Sequence, residues 1–296
     1  MITLAALAEL HEQYADDLAR PVEPVRVSDD VVVGDGSVTL MGVVNLSKDS
    51  TYRESIAAST EAAVRKGLVQ AAQGAAMIDV GAEASNDDAG RVDAQRQVDQ
   101  LVPVIEGLAP HTVVSVETYR PLVVKAALEA GAKVVNLTGR EDEDEMLASV
   151  AEHDATLLMC FGTAANVREA EELPRDTDLA PFLVDHFTER LDHARSLGVT
   201  KVVVDPGMGF SYQNLASLDR TRLQTRVITQ TFRLRALGVP AASVLPHNLD
   251  IFEDQFRKAE GFFAVLAALG GVHLLRIHEI DHVATVLRAM DLLEVS

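Results

Sequence analysis

Short apolar runs recur along the chain, and each closes on a polar group at its carboxyl end. Met41-Gly42-Val43-Val44-Asn45 opens the series, followed by Ile78-Asp79-Val80-Gly81-Ala82-Glu83, Val113-Val114-Ser115-Val116-Glu117 and Val134-Val135-Asn136. Val202-Val203-Val204-Asp205 and Leu274-Leu275-Arg276-Ile277-His278 repeat the pattern further on. Runs this short, separated by stretches with helical spacing, predict strands near 39–44, 76–80, 112–116, 133–137, 156–160, 201–204, 242–245 and 273–277. Helices are expected near 55–73, 93–108, 120–130, 142–153, 180–197, 220–237, 251–269 and 281–293. Eight strands alternating with eight helices favour a (β/α)₈ TIM barrel with its chemistry at the carboxyl ends of the strands. No G-x-G-x-x-G and no P-loop follows any strand, which removes the usual signal of a nucleotide-binding open sheet.

Residues 1–38 precede the first barrel strand. Leu4, Leu7, Leu10 and Leu18 stand near helical spacing, and Pro21 and Pro24 end that pattern. Gly34-Asp35-Gly36 between two valine-rich runs predicts a short β-hairpin. No Pro- or Gly/Ser-rich linker divides the chain, so 1–296 is expected to be one domain, its N-terminal helix and hairpin covering the bottom or an edge of the barrel.

A net charge of −19 argues against nonspecific binding to nucleic acid or an anionic membrane, and the absence of tryptophan argues against a stacking platform for single strands. The single cysteine, Cys160, cannot form an internal disulfide, which suits a reducing cytoplasm. It lies in an apolar run with no basic neighbour to activate it and reads as a packed thiol. No run is long and apolar enough to span a bilayer. The acidic run 141–145 reads as the start of a helix, where negative charge suits the macrodipole.

Four segments, in order, resemble the signature loops of the dihydropteroate synthases, members of the pterin-binding barrel family. They are Gly42-Val43-Val44-Asn45-Leu46-Ser47-Lys48-Asp49-Ser50, Ile78-Asp79-Val80-Gly81-Ala82-Glu83, Asp205-Pro206-Gly207-Met208-Gly209-Phe210 and Arg276-Ile277-His278. That family joins a pterin methyl pyrophosphate to p-aminobenzoate, and its relatives include methyltetrahydrofolate-dependent methyltransferases. The resemblance implies that Asp205, Asn136 and Glu117 bind the pterin. Asp205 suits paired N–H bonds from a 2-aminopyrimidinone edge, Asn136 both donates and accepts, and Glu117 adds a second carboxylate. It further implies Asn45 near the phosphates and their Mg²⁺, Arg276 and His278 on the leaving pyrophosphate, and Met159 packed on the ring. Arg276 and His278 alternate along a strand and so are expected on one side of it; the competing reading is an ion pair of Arg276 with Glu279 or another strand-end acid. Asp79 and Glu83 read as organisers of the second loop. A homodimer is implied by the family.

Departures from the family pattern decide how much of that chemistry carries over. Glu117 stands where the family has Asp, and Asn86 replaces an arginine that engages pyrophosphate. Lys48 replaces a proline and Thr51 a phenylalanine. Asn248 aligns with the family's lysine after the seventh strand, which resembles the methyltransferases; a shift of one position puts His247 there instead. The expected function is a dihydropteroate synthase-like transferase acting on a pterin or folate, with Asn45, Arg276, His278 and Asn248 in the catalytic set. The alternatives are methyl or one-carbon transfer from a folate, and a catalytically degenerate pterin-binding paralogue.

Overall fold

The computed structural model describes residues 2–47, 55–84, 90–162, 178–207, 215–246 and 249–294. Its frame is eight strands: β1 (Thr39–Asn45), β2 (Met77–Gly81), β3 (Val113–Thr118), β4 (Val134–Leu137), β5 (Thr156–Cys160), β6 (Val202–Asp205), β7 (Ala242–Val244) and β8 (Leu274–Ile277). They lie parallel in the order β6-β5-β4-β3-β2-β1-β8-β7. A parallel bridge between Val204 and Ala241 joins the two outer strands and closes the sheet into a barrel. The longer helices after the strands are α1 (Thr60–Ala72), α2 (Ala94–Leu108), α3 (Pro121–Glu129), α4 (Glu143–Glu152), α5 (Leu179–Ser196), α6 (Ser217–Thr229), α7 (Ala259–Leu269) and α8 (Ile280–Leu292). No helix among the described residues is long and apolar enough to cross a membrane.

Alternation along each strand sends successive side chains to opposite faces. Val44, Ile78, Val80, Val116, Leu137, Met159, Val204, Leu275 and Ile277 face outward and are buried in the layer beneath the helices. Met41, Met77, Val134, Leu158, Val203, Ala242 and Leu274 face inward and form a separate apolar floor. The floor is sealed from below by Val25, Val27 and Val33 of a hairpin that pairs Val25–Arg26 with Val32–Val33. The hairpin therefore turns earlier than Gly34-Asp35-Gly36, because 39–45 is committed to the barrel as β1.

Two steps past five of the seven floor residues, the inward positions become polar. Met77 leads to Asp79, Val134 to Asn136, Leu158 to Cys160, Val203 to Asp205 and Leu274 to Arg276. An apolar floor thus supports a polar layer near the carboxyl ends of the strands.

Some helix boundaries depart from the periodicity. The N-terminal segment forms two short helices, Leu4–Gln13 and Ala15–Leu18, and neither buries a residue fully: Leu4 is exposed, while Leu7, Leu10 and Leu18 are half-buried. Helix α1 starts at Thr60 rather than near 55 because Ser59 caps it, its hydroxyl accepting from Ala62 N at 3.2 Å. The helix expected over 220–237 stops at Thr229 and continues as a 3₁₀ turn, Thr231–Leu237. That expected over 251–269 is broken at Glu253, whose φ is 48°, and resumes fully only at Ala259.

Candidate functional site

The polar layer is a connected hydrogen-bond network with Asp79 at its centre. Asp79 is fully buried, and its Oδ1 accepts from Ser115 Oγ at 2.6 Å. Its Oδ2 accepts from Asn136 Nδ2 at 3.0 Å and from Arg276 Nε at 2.7 Å. Arg276 Nη2 donates to Glu117 Oε2. On the far side, Cys160 Sγ donates to Asn136 Oδ1 at 3.2 Å. Asp205, 2% exposed, accepts from Gly207 N at 2.7 Å through Oδ1, and Gly207 itself takes a positive φ of 76°, which a glycine adopts without strain.

Three carboxylates around one guanidinium leave the layer rich in acceptors. Burial pushes the Glu117 carboxyl up to about 7; Arg276 opposes the rise, while Asp79 and Asp205 add to it. Burial alone would weaken the charge on Arg276, but Glu117 and Asp79 outweigh it and hold the guanidinium above its usual range. The Cys160 thiol is pushed well up, first by burial and then by the charges of Asp205 and Glu117, so it stays protonated and can donate. Between about 4.5 and 7 the folded protein keeps a Glu117 proton that the unfolded chain has lost. Glu117 therefore draws down stability as pH rises through that window.

Asp205, Asn136 and Glu117, expected from sequence to face one ligand, are placed in this single interior layer. Arg276 joins them, but bound to Asp79 and Glu117: the strand-end ion pair is the observed arrangement. The His278 ring bonds Glu260 of α7, Nδ1 to Oε1 at 2.9 Å, and the same buried carboxylate accepts the backbone N–H groups of His278 and Glu279. Asn45, at the end of the neighbouring β1, donates from Nδ2 to Ser55 Oγ. Met159 needs correcting: strand parity turns it outward into the apolar layer under the helices, and Cys160 takes the inward position. Asn248, together with His247, Lys48, Thr51 and Asn86, lies outside the described residues.

Asp79 and Glu83 also part company. Glu83 does organise its loop, accepting from Tyr119 Oη at 2.6 Å, Gln97 Nε2 at 2.8 Å and Val92 N at 3.3 Å. Asp79 instead belongs to the interior. Its inward parity with Met77 is the sequence signal that could have placed it there. A second support comes from the acidic run: Glu143 is buried against Arg190, and Arg190 Nη1 donates to the carbonyl of Cys160 at 2.7 Å, fixing the end of β5.

Among the described residues, no group of three or more His, Cys, Asp or Glu side chains could hold a metal ion. Asn45 brings one amide to its corner of the barrel.

Residues 41–278 match the sequence pattern of the family described as pterin binding enzyme. The dihydropteroate synthase of Escherichia coli (strain K12) is 26% identical over 257 residues, covering 85% of this chain and 90% of that enzyme. That of Mycobacterium leprae is 29% identical over 258 residues, covering 82% and 89%. Among solved structures, the dihydropteroate synthase of Xanthomonas albilineans with 4-aminobenzoic acid superposes with a TM-score of 0.75 at 25% identity, covering 93% of this chain and all of that one.

Proposed function

The chain belongs to the family of pterin-binding enzymes, and from that membership we propose a dihydropteroate synthase-like transferase that condenses a pterin methyl pyrophosphate with p-aminobenzoate or another amine. The observation that carries the reading is the interior layer in which Asp205, Asn136 and Glu117 share one space above an apolar floor. Asn136 has spent one N–H on Asp79 and one lone pair on Cys160, which leaves one of each for a ring edge. Asp205 supplies the carboxylate for the 2-amino and ring N–H groups, and Arg276 works as a positioning residue that holds Asp79 and Glu117 in place.

In the proposed reaction the amine nitrogen attacks the exocyclic methylene, the C–O bond to pyrophosphate breaks, and the amine loses a proton. The protein contributes by holding the ring against the amine and by stabilising charge on the departing oxygens; no covalent intermediate is needed. Asn45 and His278 stand at the ends of adjacent strands on the side where that charge would gather. Mg²⁺, carried by the pyrophosphate, would take the Asn45 amide oxygen as one ligand. Asn248, or His247 by a shift of one position, would stand in the catalytic set where the family has its lysine. A homodimer working in the cytoplasm completes the reading on the strength of the family.

One observation favours a second reading, one-carbon transfer from a folate. Arg276, the interior cation, is already committed to two carboxylates rather than facing a phosphate. Incubating the protein with 6-hydroxymethyl-7,8-dihydropterin pyrophosphate, Mg²⁺ and labelled p-aminobenzoate decides between them. Labelled dihydropteroate that disappears with chelator is expected. Methyl transfer from methyltetrahydrofolate without condensation would replace the proposal by the second reading, and pterin binding without either product by a degenerate paralogue.

A further inference from the structure

A cavity of about 230 Å³ lies between α5, α6 and the 3₁₀ turn Thr231–Leu237, with Tyr14 of the N-terminal segment on its wall. None of the described residues lining it belongs to a strand, and Tyr14 precedes the match to the family pattern, which starts at residue 41. Leu179, Leu183, Leu223, Val227 and Leu234 form its apolar part, all of them buried. A dry cavity of about 150 Å³ takes one benzene ring, so this one has room for a single ring with a small substituent.

The polar lining has spent acceptors and kept donors. Asp178 already accepts from Arg233 Nη1 at 2.6 Å, Arg233 Nη2 at 2.7 Å and Ala180 N at 3.2 Å. Gln230 Oε1 accepts from Arg233 Nη1 at 2.9 Å, which leaves the amide N–H groups to donate. Tyr14 Oη accepts from Gln13 Nε2 at 3.0 Å and keeps its own proton. Arg226 is exposed and makes no ion pair among the described residues. Of the described side chains lining the cavity it is the only cation, and Asp178, already paired, is the only acid.

We infer that this cavity binds a small aromatic monocarboxylate, its ring on the five apolar side chains and its carboxylate on Arg226. A second negative charge would face Asp178, and a long acyl chain would exceed the volume. The bound acid would also tie the N-terminal segment to the barrel wall. Two arginines of the 3₁₀ turn already hold that segment: the Arg233 guanidinium lies 4.0 Å from the centre of the Tyr14 ring, and Arg235 Nη1 donates to Leu18 O at 2.7 Å. A ring lodged between Tyr14 and α6 would add to the same contact.

Calorimetric titration with benzoate, with benzamide as its uncharged counterpart, tests the site in the whole chain. Saturable binding of benzoate is expected, with benzamide at least about tenfold weaker and R226Q at least about tenfold weaker for benzoate. Arg226 is exposed, so R226Q should fold, and matching melting curves would show it. Hydrogen exchange locates the ligand: benzoate should slow exchange in residues 4–18 and 223–237 of the wild type and not in R226Q. Absent binding, equal affinity for benzamide, equal affinity in R226Q, or protection confined to the loops after the strands would overturn the inference. No pterin enters the experiment, so its outcome is independent of the proposed reaction.

Discussion

Replacing Arg276 by methionine should lower folding stability by about 3–5 kcal/mol at pH 8, the usual cost of leaving a buried charge without its partner. Methionine keeps much of the length and apolar stem, so packing losses stay small and the charge is what is tested. Two carboxylates lose their cation at once: Asp79, fully buried, and Glu117, whose side chain is 10% exposed. The loss should shrink at pH 5.5. Glu117 already titrates near 7 with Arg276 present, and without it protonation would set in at higher pH still and relieve the repulsion from Asp79 and Asp205. Urea unfolding at the two pH values reads both effects, and R276M/E117Q should recover part of the deficit at pH 8. A loss below about 1 kcal/mol, or one independent of pH, would mean that Arg276 is not the counter-charge of the layer.

Asp205→Asn should leave the fold intact and reduce pterin affinity on the order of 100-fold, close to 3 kcal/mol. The substitution is isosteric, and the asparagine Oδ1 can still accept from Gly207 N, now at 2.7 Å. What changes is the other atom. A carboxylate oxygen able to receive an N–H becomes an amide that presents its own N–H, so donor faces donor in a buried site. Melting temperature within a few degrees of wild type, together with a calorimetric Kd raised about two orders of magnitude for pteroic acid, is the expected pair of results. Equal affinity in the two proteins would remove Asp205 from the ligand's contacts.

Much of the frame was legible in the sequence because its signal is local. Each strand is a short valine- or leucine-rich run with a polar terminus, and every predicted strand lies within two residues of an observed one. Polar residues at strand ends also announced Asp205, Asn136, Glu117 and Arg276. What periodicity could not give was the face. Met159 and Cys160 are adjacent in sequence, and a frame error of one residue exchanges a helix-facing methionine for a thiol inside the barrel. Asp79 was misplaced because its role comes from partners 36, 57 and 197 residues away. Arg276 and His278 share strand parity, yet β8 ends at Ile277, and past that point Glu260 rather than the pleat sets the direction of the ring. The acidic run did open a helix, but Glu143 within it answers to Arg190 on α5, a contact no local pattern encodes.

A crystal structure of the protein with 6-hydroxymethyl-7,8-dihydropterin bound tests the interior layer most directly. The ring should lie inside the carboxyl end of the barrel, its 2-amino and ring N–H edge on the Asp205 carboxylate and within hydrogen-bond distance of Asn136, with Arg276 still joined to Asp79. A pterin found outside the barrel, or an interior that stays filled by the Arg276–Glu117 pair at saturating ligand, would contradict it.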